Sequence, residues 1–238
     1  MKTPQKTPAI LSLILSCTFF TGCASGRIHR EPEEVKRIFT EMCSPAATVR
    51  EVKGSAWVKV STTEESGQFP AQFHATAPSA LDIEATNLVG SVEAFIHIQD
   101  DHYTIKWTGK ESVEEEGTGS WRGIPLQAAV DLFLGRFPCP PLDAPESKLI
   151  SLDNGDVAAV IAYPSSPPVT ERFEYRFKSW GGKAWPENLK WKKDGPEPEE
   201  VEFAFEAPDD ATSSPTRVVA HSPLGEVKIR WKERRKVR

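Results

Sequence analysis

The side chains whose types could carry chemistry here are four cysteines, five histidines and a run of three glutamates. Their spacing speaks against catalysis. His29, His74, His97, His102 and His221 are scattered and do not make up a metal-ligand set. His74 and His97 stand opposite the apolar residues of their segments, as exposed or rim histidines do. Glu114-Glu115-Glu116 offers adjacent carboxylates. Neighbouring strand positions point to opposite faces, so the run reads as a solvated strand or turn and not as a paired acid and base. Neither Cys43 nor Cys139 has an activating base beside it in sequence. A nucleophile elbow, a phosphate-binding glycine loop and a dinucleotide fingerprint are all missing. The expectation is a protein that is not an enzyme and holds no metal and no cofactor.

Cys23 has a different chemistry written around it. Lys2 and Lys6 give a positive start, and Ala9 to Phe20 follow as an uncharged, mostly apolar run. That run is shorter than the roughly 20 apolar residues a membrane-spanning helix needs, and it reads as a cleavable export leader. Phe20-Thr21-Gly22-Cys23 resembles the bacterial lipobox, in which small residues precede a cysteine that is diacylated before cleavage. The resemblance implies that residues 1–22 are removed and that Cys23 becomes an N-terminus bearing palmitate-type chains. Residues 23–31 then form a lipidated linker. Ala24 stands where an aspartate would favour inner-membrane retention, which points to the periplasmic face of the outer membrane. Stable attachment takes more than one acyl chain, each buried methylene contributing about 0.8 kcal/mol. Cys17 leaves with the leader. Cys43 and Cys139 remain in an oxidising compartment, where a leftover pair is expected to form a disulfide between the first helix and the end of the second. Whether their Cα atoms approach closely enough is not legible from sequence.

The elements around these residues alternate in period. Val35, Ile38, Phe39 and Met42 make one apolar stripe of a helix that starts at Pro32, with Glu33 and Glu34 in its first turn, and Ser44-Pro45 ends it. From Val52 the period becomes two. Val52 to Val60, Phe69 to Ala77, Leu81 to Ala85, Val92 to Ile98 and Tyr103 to Trp107 read as an antiparallel meander with one apolar face. Ile124 to Phe137 reads as a second helix, with Pro125 near its start and Gly135 and Pro138 at its end. Strand patterns return at Val157–Tyr163, Arg172–Lys178, Leu189–Lys192, Val201–Phe205 and Val227–Trp231. The predicted class is α+β: one domain over residues 32–238, a strongly curved antiparallel sheet or half-open barrel, with an N-terminal helix and a lid helix over the concave apolar face. A composition of 39% hydrophobic and 26% charged residues suits such a domain, and a net charge of -5 excludes nucleic acid as the main partner. Locally, Lys228 to Arg238 is strongly basic. It reads either as a patch for anionic headgroups or as a solvated end.

Two motifs within this layout carry a family resemblance. Thr86-Asn87-Leu88-Val89-Gly90-Ser91 is similar to the Thr-Asn-Pro-Leu-Gly-Ser loop of LolB, the outer-membrane lipoprotein receptor, with Leu88 in place of the proline and Val89 in place of the leucine. Gly123-Ile124-Pro125-Leu126, followed by Leu132-Phe133-Leu134-Gly135-Arg136-Phe137-Pro138, resembles the helix of the same family. The resemblance spans roughly residues 31–205 and points to the LolA/LolB superfamily, closest to LolB. Residues 207–238 have no counterpart there and are expected to add a strand and a basic tail. The resemblance implies an apolar cavity for the acyl chains of lipoproteins or another lipid. Its expected lining is Val58, Val60, Phe69, Phe73, Leu81, Ile83, Ile96 and Ile98 from the sheet, with Val130 and Leu134 from the lid. It implies Leu88 and Val89 as a membrane-contact loop, and a periplasmic LolA-like carrier and the membrane surface as partners.

The same residues admit other readings. The alternating apolar positions equally describe a closed core, and Leu88 and Val89 equally a tucked turn. The contrasting function is a structural or regulatory envelope lipoprotein that binds a protein partner. For the anchor the expectation is direct: Cys23→Ser abolishes labelling by a radioactive fatty acid and moves the protein out of outer-membrane fractions. A mutant that still takes up the label would show that Cys23 is not the acylated residue.

Overall fold

The computed structural model describes residues 28–43, 49–63, 66–108, 113–142, 144–165, 167–207 and 214–237. The leader 1–22, Cys23, the linker up to residue 27, Ser44-Pro45 and Arg238 lie outside them. Helix α1 (Pro32–Cys43) comes first. A meander follows, made of β1 (Glu51–Ser61), β2 (Ser66–Thr76), β3 (Ala80–Thr86), β4 (Val92–Gln99), β5 (His102–Trp107) and β6 (Glu114–Thr118). A short hairpin, β7 (Ser120–Trp121) and β8 (Ile124–Pro125), leads into α2 (Leu126–Phe133). A second meander completes the chain: β9 (Ser147–Ser151), β10 (Val157–Tyr163), β11 (Val169–Trp180), β12 (Lys183–Asp194), β13 (Glu199–Glu206), β14 (Arg217–Ser222) and β15 (Gly225–Lys236).

The two meanders form one 13-stranded antiparallel sheet because the first strand pairs with the last. Its order runs from β6 through β1 to β15 and on to β9, and among the described residues β6 and β9 do not pair with each other, so the sheet is curved but open. Each edge is protected differently. β6 carries Glu114, Glu115 and Glu116, charges that discourage a further strand from adding. β9 is covered by α1, which packs on β9 and β12. Between β1 and β15 the register slips at Ser55/Ala56, leaving Lys232 as the extra residue of a bulge. Gly54 sits beside it. A Cβ there would lie 2.0 Å from the Glu233 carbonyl oxygen and 2.8 Å from the Phe73 ring, so the strands approach this closely only with glycine.

One core runs across both halves. Val35, Ile38, Phe39 and Met42, the stripe read from the sequence, are all buried, and Phe39 meets Tyr175 edge-on at 5.4 Å. Helix α2 covers the other half, against β2 and β3. It enters from a turn in which Arg122 and Gly123 both have positive φ, 52° and 77°, the geometry of a tight two-residue hairpin. Pro125 occupies its N-cap position, and Gly135, at φ 78°, ends the segment. Cys43, the last residue of α1, is bridged to Cys139 beyond α2, with Cα atoms 6.0 Å apart.

The class, the curved open sheet and the helix over each half match the sequence expectation. Three features differ. The second helix is shorter than Ile124 to Phe137, because Ile124 and Pro125 belong to β8 and Gly135 stops the chain early. Strands β6, β7, β8, β9 and β14 have little or no alternating apolar signal, being short, charged or sparsely buried. The segment 207–238, expected to add one strand and a basic tail, holds two strands, β14 and β15, and β15 lies at the centre of the sheet. The bridge closes a loop of 96 residues. Cys139→Ser is expected to lower stability by about 2–5 kcal/mol, read from urea midpoints under oxidising conditions. An unchanged midpoint would show that the bridge constrains nothing that unfolding releases.

Candidate functional site

The concave face encloses an apolar cavity of about 100 Å³ beneath α2. Seven of the residues named from the sequence line it: Val58, Val60, Phe69, Leu81, Ile83, Ile96 and Ile98. Phe73, Val130 and Leu134 do not. Phe73 is taken up by an edge-on contact with Phe133, ring centroids 4.8 Å apart, which closes the space beside it. Val130 and Leu134 each follow a lining residue, Ala129 and Phe133, and one residue is about 100° of helix rotation. They are buried on a neighbouring side of α2. Leu126, Ala129, Leu132 and Phe133 are the residues the helix presents. The opposite wall comes from the end of the chain: Phe203, Val218, Ala220, Val227 and Ile229. Strand pairing sets the seam, with Val58 opposite Ile229 and Val60 opposite Val227.

The cavity adjoins a wider groove of about 300 Å³, with which it shares Val60, Phe69, Ile96, Ile105 and Trp121. Gln68, Asn87, Trp107, Glu115 and Arg122 rim that groove. Its β3–β4 loop is the one singled out in the sequence. The Asn87 side-chain oxygen accepts the backbone N–H groups of Val89 and Ser91 at 3.1 and 2.9 Å, and its amide donates to Glu93 at 2.7 Å. The loop is thereby held while its tip projects: Leu88 is 80% exposed and Val89 87%. Two aliphatic side chains gain nothing from water at such exposure, and the tip follows Thr86 and Asn87, which line the groove beside the cavity.

A second space, of about 570 Å³, lies on the other side of α2. Asp100, Asp101, Asp131, Glu171, Glu199 and Lys193 line it above Phe173, Leu189 and Trp191. Burial pushes the Asp131 carboxyl up to about 6, against the opposing pull of Gln127 and of Arg136 at 3.7 Å. Burial also raises Glu171. Tyr175 is fully buried, its hydroxyl donating to the Pro138 carbonyl, and burial lifts it far above the usual tyrosine range.

The basic segment of β15 is split by the sheet. Ile229 and Trp231 face the core, whereas Arg230 and Lys232 are exposed on the convex side, Lys232 lying 4.4 Å above the Trp57 ring. Arg234, past the bulge, turns inward. It stacks on Trp231 at 4.5 Å, donates to the Pro215 carbonyl and is pushed down by burial to about 10. His74, His97, His102 and His221 each pair with a carboxylate, Glu51, Asp82, Asp101 and Glu226, at 2.6 to 3.1 Å. No group of three metal-binding side chains occurs among the described residues.

No protein-family model matches the chain, and no curated protein matches it. Solved structures share its outline. A LolA superfamily protein from Nitrosomonas europaea superposes with a TM-score of 0.49 at 8% identity, over 89% of this chain and 94% of that one. A DUF1329 family protein from Desulfovibrio piger gives 0.48 at 11%, over 87% and 94%. An outer membrane lipoprotein-sorting protein domain from Vibrio parahaemolyticus gives 0.46 at 5%, over 86% and 93%. At this level the likeness is one of overall outline.

Asp131 makes a pH-dependent contribution of known sign. With its carboxyl raised from 3.8 to about 6, the folded chain holds a proton that the unfolded chain has released across that window. Stability from this group is therefore full below about pH 4 and lost as the pH rises through 6. Asp131→Asn is expected to match the parent near pH 4 and to exceed it at pH 8 by roughly 1–3 kcal/mol in urea unfolding. A variant less stable than the parent at pH 8 would show that the pairing with Arg136 outweighs desolvation.

Proposed function

We propose that the protein is a non-enzymatic, lipid-anchored receptor of the outer membrane. In this reading it takes up the acyl chains of lipoproteins, or of another lipid, and aids their insertion into the membrane, in the manner of LolB. The cavity carries this reading: a space lined by apolar side chains from both halves of the sheet, roofed by a short helix and adjoining a groove at the exposed Leu88-Val89 tip. Acyl chains cannot cross an aqueous compartment bare, since each methylene left in water costs about 0.8 kcal/mol. An apolar space without charged side chains can accept them and give them up again. The tip gives the release step a place, because Leu88 and Val89, next to the groove residue Asn87, can enter the acyl region of a bilayer. The lipobox-like Cys23 supplies the tether, and a periplasmic LolA-like carrier would be the donor.

The cavity of about 100 Å³ is smaller than an acyl chain. Uptake therefore requires α2 to lift and join the cavity to the groove, some 300 Å³ more.

The test uses the unacylated chain and a triacylated cysteine peptide, with transfer of that peptide to liposomes as a second reading. Saturable binding is expected. Leu88→Glu combined with Val89→Glu is expected to leave binding and thermal stability near the parent values while transfer falls at least tenfold. A parent that binds no acylated peptide, and is recovered instead in a stable complex with a protein, would overturn the proposal in favour of a structural or regulatory lipoprotein. A double variant that transfers normally would remove the tip from the mechanism.

A further inference from the structure

The seam that joins the two halves of the sheet gathers positive charge on its convex face. Register places Lys53 opposite Arg235 and Lys59 opposite Lys228, and on the next strand Arg217 stands opposite Arg230. Lys232, the bulge residue, adds a further cation above the Trp57 ring. Lys228 is half-buried and the other six are exposed. Strand residues two apart share a face, so from Lys53 to Lys59 the stripe is about 20 Å long.

Like charges directly opposite one another destabilise a sheet. The β12–β13 pairing of the same sheet is built the other way: Lys190 faces Glu202, Lys192 faces Glu200 and Lys193 faces Glu199. At the seam carboxylates offset only part of the charge. Glu51 lies 3.6 Å from Lys53, Glu226 2.5 Å from Lys228 and Glu233 2.6 Å from Arg235. Lys59, Arg217, Arg230 and Lys232 form no ion pair with a carboxylate among the described residues. Glu206 on β13 stands across from Arg217 and bounds the stripe on one side, and uncharged Gln68, Pro70 and Gln72 on β2 bound it on the other. The whole chain carries a net charge of -5, so this excess runs against the overall sign. Three opposed cation pairs weaken the contact that holds the two meanders together, and an anionic partner removes that cost.

On the reading above of a chain held at a membrane, we propose that this stripe is a docking surface for the anionic headgroups of a bilayer. The phosphates of a lipid surface are spread in two dimensions, as these cations are over three strands, and each exposed cation near such a surface adds to binding. Trp57, half-buried beneath Lys232, is of the side-chain type that sits at a water–bilayer interface. An orientation follows. With the convex side against the bilayer, the concave side and α2 face the aqueous compartment from which cargo arrives. Docking on the stripe is a receiving posture, separate from contact through the Leu88-Val89 tip.

The test sediments the unacylated chain with phosphatidylcholine vesicles made with and without phosphatidylglycerol. Binding is expected only to the anionic vesicles and is expected to vanish in high salt, which screens surface charge. Lys59→Gln, Arg217→Gln, Arg230→Gln and Lys232→Gln combined are expected to weaken it at least tenfold, each surface cation contributing about fivefold. That variant is expected to melt no lower than the parent, since it relieves opposed like charges. Lys59→Gln alone, expected to bind about fivefold more weakly, serves the same purpose if the combined variant does not fold. A control that loses equal charge elsewhere, Lys36→Gln, Lys148→Gln, Lys178→Gln and Lys183→Gln, is expected to bind as the parent does. A parent that treats both vesicles alike, or a control that loses as much as the stripe variant, would overturn the proposal. So would a parent that ignores vesicles and binds poly-glutamate, which assigns the stripe to an acidic protein. No acyl ligand enters this measurement. A parent that fails it yet binds the triacylated peptide overturns the docking surface and leaves the acyl-chain reading standing. A parent that docks on anionic vesicles and binds no acylated peptide supports the docking surface and overturns the acyl-chain reading.

Discussion

The pairing of β1 with β15 is the contact on which the rest of the molecule depends. Each meander taken alone is a twisted sheet with one apolar face and two edges. Joined along Val52–Ser61 and Glu226–Lys236, they become one surface curved enough to surround a volume. The cavity straddles that seam, with Val58 and Val60 on one side and Val227 and Ile229 on the other. The seam is also the most non-local strand pairing among the described residues, since it brings Val52 against Lys236. Loop-closure entropy opposes such a contact until many others support it. The bulge at Lys232 and the bare backbone at Gly54 are the local adjustments that let the two strands meet while Arg234 turns inward against Trp231.

The lid is held unevenly. Beyond its C-terminal end it is secured by the Cys43–Cys139 bridge, by Arg136 donating to the Val49 carbonyl and by Ser214 donating to the Gly135 carbonyl. Toward its N-terminal end the attachments are single hydrogen bonds, Gln127 to the Pro78 carbonyl at 3.0 Å and the Leu126 N–H to the Gly119 carbonyl at 3.0 Å. Between these, Phe133 is wedged edge-on against Phe73 and Trp231. Asp131, on the opposite side of the helix, faces the acidic space, so the two faces of α2 differ sharply in polarity.

What the sequence disclosed follows from how local each signal is. Strict alternation in β1 to β5 identified the sheet and the face on which seven cavity residues stand, because period and face are properties of consecutive side chains, while the cavity itself came only from the resemblance. The far wall, from Phe203 to Ile229, was invisible as a wall: its strands were partly recognised, but which strand lies beside which is set by register between distant segments. Phe73, Val130 and Leu134 were assigned to the right face or helix and the wrong neighbours, since hydrophobicity tells that a residue is buried and not against what. Leu88 and Val89 stood out because apolar residues between Asn87 and Gly90 defy ordinary turn composition.

Under the proposed function, the direction of transfer rests on the cost of opening. A palmitate-type chain gains nearly the same hydrophobic free energy in an apolar cavity as in a bilayer, so that term cancels between protein and membrane. What remains is the difference between the two hosts. A bilayer takes another chain with little rearrangement. Here the described cavity is smaller than an acyl chain, and in this reading admitting one disturbs the packing under α2, where Phe133 meets Phe73 and Trp231 in aromatic pairs worth about 0.5–1.5 kcal/mol each beyond their buried area. That cost is borne for as long as the chain is inside and returned when it leaves. A cavity that closes on itself when empty therefore binds more weakly than one held open, and its cargo moves downhill into the membrane without an energy source. Strong polar anchors or a buried charge would hold the cargo back.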